Sequence, residues 1–142
     1  MAVDISSPGR SAVTAISRVR VRYAETDQMG VVYHANYFVW FEVGRCDLLR
    51  QFGSSYRELE AGGIVLPVTE ASCEYLGPTR YDDELTIRTT GTLRSPVRLE
   101  FQYEVSRPPD GAIAARGRTV HASLNTSGRP CRLPDHIRTA FA

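Results

Sequence analysis

One stretch of this chain carries a long helical period, and most of the chain beyond it carries the period of a strand. Between Ala35 and Phe52 the residues Tyr37, Trp40, Phe41, Gly44, Leu48 and Phe52 recur at three- and four-residue steps, and Val43 and Leu49 widen the stripe. Gly53 follows as the expected C-terminal cap. With one substantial helix in 142 residues, a sheet must cover the apolar stripe, which makes the fold class α+β. Gly44 falls inside the stripe, where it costs about 1 kcal/mol relative to alanine. Its position predicts that the sheet packs very closely against the helix at that point.

The strands are read from alternation. Over Ile16 to Tyr23, Val19, Val21 and Tyr23 point one way while Arg18, Arg20 and Arg22 point the other. Ile64 to Leu76 is interrupted at Pro67, which predicts an edge or bulged strand. Leu85 to Leu93 follows the acidic turn Tyr81-Asp82-Asp83-Glu84. In the next strand Val97, Leu99, Phe101, Tyr103 and Val105 alternate with charged and polar residues. Pro108-Pro109-Asp110-Gly111 signals a hairpin into Ala112 to Asn125. A short tail helix is expected from Asp135, with Asp135 as its cap. The chain therefore reads as a flexible tail over residues 1–15 and one domain over 16–142, with four antiparallel strands after the helix. One helix on a sheet of this size leaves residues such as Ile87 and Val120 at risk of exposure, which predicts at least a homodimer.

The formal net charge of +1, with arginines interleaved among acids, gives no electrostatic case for nucleic acid. No apolar run is long enough to span a membrane, and the first fifteen residues lack a signal-peptide layout. Cys46, Cys73 and Cys131 show neither metal spacing nor a disulfide framework, so a cytoplasmic protein with reduced thiols is expected. There is no Gly-x-Ser-x-Gly elbow, Rossmann fingerprint or P-loop.

The chemistry concentrates in Tyr23 to Tyr37, YAETDQMGVVYHANY. Asp27 stands in a glycine-containing loop between a strand and the helix, and His34 stands where the helix begins. A carboxylate beside a helix N-terminus can attack a carbonyl, or activate water to do so, while free main-chain N–H groups hold the oxyanion. The plainer reading of Asp27 is a turn cap, a common place for aspartate.

That block, with the helix opening Phe-Val-Trp-Phe-Glu and the segment Ala71-Ser72-Cys73-Glu74-Tyr75-Leu76-Gly77-Pro78-Thr79-Arg80-Tyr81-Asp82-Asp83-Glu84, resembles the hotdog-fold acyl-CoA thioesterases. The resemblance covers roughly residues 18 to 125. It leans toward the 4-hydroxybenzoyl-CoA thioesterase-like branch, including the Tol-Pal-associated enzymes. It implies a five-stranded antiparallel sheet wrapped around one long central helix. It also implies dimers or tetramers with sites at subunit interfaces, and hydrolysis of an acyl-CoA thioester without metal or organic cofactor. Acyl carrier protein is the alternative thiol carrier.

By the same resemblance Asp27 is the nucleophile or general base, and His34 offers its main-chain N–H, with its side chain assisting in the Tol-Pal-like branch. Tyr33 would shape the acyl pocket or orient Asp27, Gly30 and Val31 would set the loop geometry, and Asn36 would cap the helix. Tyr37 reads first as core and second as pocket lining. Arg94 and Arg98, with Arg129 and Arg132, are candidates for the CoA phosphates. Glu70 reads as a surface or interface acid, Glu42 as a partner for Arg45 or a sheet arginine, and His121 and His136 as structural. A hotdog hydratase or dehydratase and a non-catalytic acyl binder are the alternative functions.

Overall fold

The computed structural model describes residues 13–142, so the expected tail lies outside the described residues except for Val13 to Ala15, which are already strand. Strand β1 (Val13–Arg20) leads through a 3-10 turn (Tyr23–Glu25) and a loop into helix α1 (Asn36–Phe52). A short helix α2 (Tyr56–Ala61) follows, then β2 (Val68–Tyr75), β3 (Glu84–Ser95), β4 (Arg98–Arg107), β5 (Ala112–Ala122) and helix α3 (Asp135–Phe141). The five strands form one antiparallel sheet in the order β1-β3-β4-β5-β2. Helix α1 lies against β1 and β3, and α3 against β3. Among the described residues no helix is long and apolar enough to cross a membrane.

The alternation in the sequence is the alternation of the sheet. Leu99, Phe101, Tyr103 and Val105 of β4 are buried toward the helix, as are Leu85 and Ile87 of β3. From α1, Trp40, Phe41 and Leu48 meet them. The glycines mark the tightest contacts. A Cβ placed on Gly44 would stand 2.2 Å from the Thr89 hydroxyl, so the helix touches β3 where the glycine stands. On β5, the Phe41 ring occupies the space that a side chain at Gly117 would need, and it stacks on Tyr103 with centroids 4.3 Å apart. Burying a ring of this size is worth a few kcal/mol.

Several expectations are corrected. Tyr23 does not share the inner face with Val19 and Val21. The chain leaves β1 at Arg20, and the Tyr23 ring is exposed beside Tyr81. Ile87 and Val120 are buried within the single chain. Exposed apolar residues stand elsewhere, among them Val65, Val68, Tyr75 and Leu76 on and around β2, and Ile16, Val39 and Phe52 on β1 and α1. Strand β2 lies at a sheet edge, starts after Pro67 and carries a register shift between Val68 and Glu70. The polar link after α1 contains a helix whose signal was present in the sequence. Ser55 and Glu58 form a capping box, with Glu58 N–H donating to Ser55 Oγ at 3.1 Å and Ser55 N–H to Glu58 Oε1 at 2.9 Å. At α3 the cap position falls to Pro134, and Asp135 is in the first turn.

A chain of buried hydrogen bonds runs through the core below α1. Arg45 donates to the phenol oxygens of Tyr56 (3.1 Å) and Tyr103 (3.5 Å), not to Glu42 as its helical spacing suggested. Tyr103 and Thr119 hydroxyls are 2.6 Å apart, Thr119 Oγ1 is 2.9 Å from His121 Nε2, and His121 Nδ1 is 3.0 Å from the Leu66 carbonyl. The ends fix the directions. The carbonyl can only accept, so Nδ1–H donates and Nε2 accepts from Thr119, which in turn accepts from Tyr103. This needs neutral His121, and burial pushes its pKa down to about 4.

Candidate active site

The loop between the 3-10 turn and α1 is held from inside by Glu25, a buried carboxylate. Its Oε1 accepts the Arg22 N–H at 2.7 Å, and its Oε2 accepts the Trp40 indole N–H at 3.3 Å and the Arg22 guanidinium at 3.4 Å. Its main-chain carbonyl receives Tyr33 N–H at 2.9 Å and Asn36 Nδ2 at 2.8 Å. One residue thus ties both ends of the loop to the helix. Asn36 therefore does not cap α1. The cap position is Ala35, which has no side-chain oxygen to offer.

Asp27 heads the tight turn. Its N–H donates to Val31 O at 2.9 Å, its carbonyl receives Gly30 N–H at 3.0 Å, and its Oδ1 receives Met29 N–H at 2.9 Å. Gly30 has φ +80°, a conformation that favours glycine. The turn-cap reading and the catalytic reading are therefore compatible: Oδ1 is engaged, and Oδ2 has no hydrogen-bond partner among the described residues. Val32 N–H donates to the Thr79 carbonyl at 2.8 Å, and the buried Thr79 hydroxyl lies 2.7 Å from Tyr37 Oη. Burial raises the Tyr37 pKa, against the lowering effect of the Thr79 bond, so the phenol remains protonated.

At the start of α1 the N–H groups of His34 and Ala35 have no main-chain or side-chain acceptor among the described residues. The neighbouring N–H groups of Tyr33, Asn36, Tyr37 and Phe38 are all paired. Free N–H groups at this end of a 17-residue helix are where an anion or a developing oxyanion is favoured.

A cleft of about 360 Å³ joins these parts. Asp27, Val31, His34 and Tyr37 line it from the loop and helix, and Tyr75, Leu76, Gly77 and Pro78 line it from the end of β2 and the turn beyond. Of the residues expected from sequence, Asp27, His34, Val31 and Tyr37 are brought together. Gly30 shapes the turn without lining the cleft. Tyr33 is half exposed and lies tilted against the His34 ring, with centroids 4.5 Å apart, and does not line the cleft either.

Arg94 and Arg98 are not at this cleft. They flank the β3–β4 hairpin, and Arg94 is ion-paired with Glu100. Arg94 stands ten residues beyond Glu84, roughly 33 Å along the strand. Arg129 and Arg132 also lie outside the lining. Glu70 pairs with Arg118 at 3.2 Å on the outer face, and His136 bonds Ser54 Oγ at 2.7 Å. Sequence reasoning missed Glu25, Tyr75 and Thr79. Only Glu25 carried a local signal, as a second acid two residues before Asp27.

Residues 21–141 match the thioesterase-like superfamily. The Bacillus subtilis protein YneP is 36% identical over 87% of this chain and 86% of its own length. Among solved structures, the DHNA-CoA thioesterase from Staphylococcus aureus superposes with a TM-score of 0.80 at 36% identity, covering 84% of this chain and 80% of that one. Slr0204, a 1,4-dihydroxy-2-naphthoyl-CoA thioesterase from Synechocystis, superposes with a TM-score of 0.84 at 26% identity, covering 90% and 95%.

Proposed function

The chain belongs to the thioesterase-like superfamily and has its hotdog fold, and from that premise we propose that it hydrolyses an acyl-CoA thioester to the free acid and CoA. The observation that carries this reading is the placing of the Asp27 carboxylate and the unpaired N–H end of α1 on one cleft. Asp27 acts through its free oxygen and His34 through its main-chain N–H. In one route Asp27 takes a proton from water, and the resulting hydroxide adds to the acyl carbon. In the other, Asp27 itself adds, CoA leaves as thiolate, and water then cleaves the mixed anhydride. In both, the oxygen that becomes negative lies against the helix N-terminus, where fixed dipoles stabilise it. Rapid-quench mass spectrometry separates the routes, because only the second leaves the mass of the acyl group on Asp27.

An aromatic acyl group is our favoured substrate. Tyr37 and Tyr75 meet edge to face at 5.2 Å on the cleft wall, and the Synechocystis relative acts on a naphthoyl thioester. The test is thiol release from benzoyl, naphthoyl and aliphatic acyl-CoAs, run on wild type and Asp27→Asn. We expect release by wild type and a loss of at least ~10²-fold in the variant, since only a charge is removed. Equal turnover by both proteins would exclude Asp27. Release from no thioester would favour a hydratase or a binding protein.

The assembly we propose is a homodimer in which a second copy covers β2, whose free edge bears the exposed Val68 and Tyr75. Sedimentation at micromolar concentration should show no monomer; a folded, active monomer would refute it. With Cys46, Cys73 and Cys131 all free, we place the protein in a reducing compartment, the cytoplasm.

A further inference from the structure

We propose that Tyr75, at the end of β2, is a positioning residue for the reaction: its phenol holds the His34 carbonyl and so fixes the main chain that faces the thioester. This rests on the thioesterase reading of the cleft. Tyr75 O–H donates to His34 O at 2.9 Å. Helix α1 begins at Asn36, and its cap position, Ala35, supplies no side-chain cap. The His34 carbonyl receives only a long bond, 3.3 Å, from within the helix, given by Tyr37 N–H. Among the described residues, Tyr75 is the one side chain bonded to the main chain of residues 33–35. A helix entry that must present unpaired N–H groups has thus given up the usual cap and is steadied from the sheet.

The phenol is itself held. Its ring stands edge-on to His34 (centroids 6.2 Å, 89°) and to Tyr37 (5.2 Å, 83°). Its backbone is registered to Ala115 of β5, and the next two N–H groups, of Leu76 and Gly77, both donate to the Ala114 carbonyl. The strand that supplies the latch is also the free edge of the sheet, so anything that shifts β2 shifts the helix entry. A bond to a peptide carbonyl also polarises that peptide, which strengthens the Ala35 N–H as a donor. Desolvation, followed by the influence of Cys73, pushes the Tyr75 phenol up to about 12, so it stays a donor throughout any ordinary assay range.

The experiment compares wild type, Tyr75→Phe and Asp27→Asn. Tyr75→Phe keeps the ring and removes the hydroxyl, so kcat should fall about tenfold while KM stays within twofold and the melting temperature is unchanged. The second readout needs no turnover. Phenacyl-CoA, a non-hydrolysable ketone analogue of benzoyl-CoA, is bound with its carbonyl carbon labelled with 13C. Wild type and Asp27→Asn should move that resonance downfield, and Tyr75→Phe should move it less. A full downfield shift and wild-type kcat in Tyr75→Phe would overturn the latch and leave the thioesterase reading standing. No shift with wild type itself would instead remove the polarising role of the helix end, and the latch with it. A reduced shift in Tyr75→Phe upholds the latch even where thiol release is absent and the thioesterase reading fails.

Discussion

The two halves of α1 treat polar groups in opposite ways. In the C-terminal half, Arg45 opens a buried line of hydrogen bonds through Tyr103, Thr119 and His121 to the Leu66 carbonyl, and each member is paired. At the N-terminal end, the N–H groups of His34 and Ala35 and one oxygen of Asp27 have no partner among the described residues and lie beside a cleft. Buried polar groups are satisfied as a rule, so the paired half is what folding demands, whereas the groups at the other end stand on exposed or half-buried residues and are open to solvent or a ligand. Perturbing the first should move stability, and perturbing the second should move rate.

The most severe test of the paired half is acid. His121 must stay neutral for Nε2 to accept from Thr119, and its pKa is pushed from an ordinary 6.5 down to about 4 by burial first, with the Arg45 charge adding to it against the Leu66 bond. Between those values the unfolded chain carries the proton and the folded chain does not. Stability is therefore complete above about pH 6.5 and is lost as pH falls toward 4, by about 3 kcal/mol over the window. Glu100 acts lower. Burial raises its pKa, but bonds from Gln102, Arg94 and Arg118 outweigh burial and lower it, so its contribution is lost only below the ordinary carboxylate range. Denaturant unfolding at half-unit steps from pH 7 to 4 reads the His121 effect, and His121→Gln should flatten it. Constant stability across that window would mean that the histidine is not held neutral, and the paired half would lose its distinction.

How much of each half was legible depends on how local its contacts are. The α1 stripe as far as Leu49, the alternation of β4, the close approach at Gly44 and the edge position signalled by Pro67 were legible, because each depends on a few successive residues, whereas Phe52, assigned to the stripe by its spacing, is exposed in the last turn of the helix. Asp27 and His34 were legible for the same reason, being seven positions apart on one loop. Tyr75 and Thr79 reach the cleft only because β2 pairs with β5 and the chain then turns back, a register that no local pattern encodes. By the same token Arg94 and Arg98 do not line this cleft, since a hairpin tip says nothing about which end of the sheet a cleft occupies. Arg45 misled for a subtler reason. Its i,i+3 spacing from Glu42 allows an ion pair, yet its side chain turns to the phenols of Tyr56 and Tyr103.

Glu25 sharpens the comparison because it belongs to both halves. It is buried and fully engaged like the core line, but what it holds is the loop that carries Asp27 to the cleft. Glu25→Ala removes the acceptor for the Trp40 indole and the Arg22 N–H, and leaving those donors unsatisfied costs about 1–3 kcal/mol. Its carbonyl bonds to Tyr33 and Asn36 are main-chain and survive the change. The loop should therefore loosen without dissolving, and kcat should drop severalfold along with the melting temperature. Trp40→Phe removes the same indole bond from the helix side, so a double-mutant cycle should show coupling between the two in both stability and kcat. If Glu25→Ala lowered stability and left kcat of the folded enzyme untouched, the loop would hold its geometry without Glu25. The Glu25 carboxylate would then belong with the paired core, and the loop would be positioned by the Asp27 turn, the Glu25 carbonyl and Tyr75.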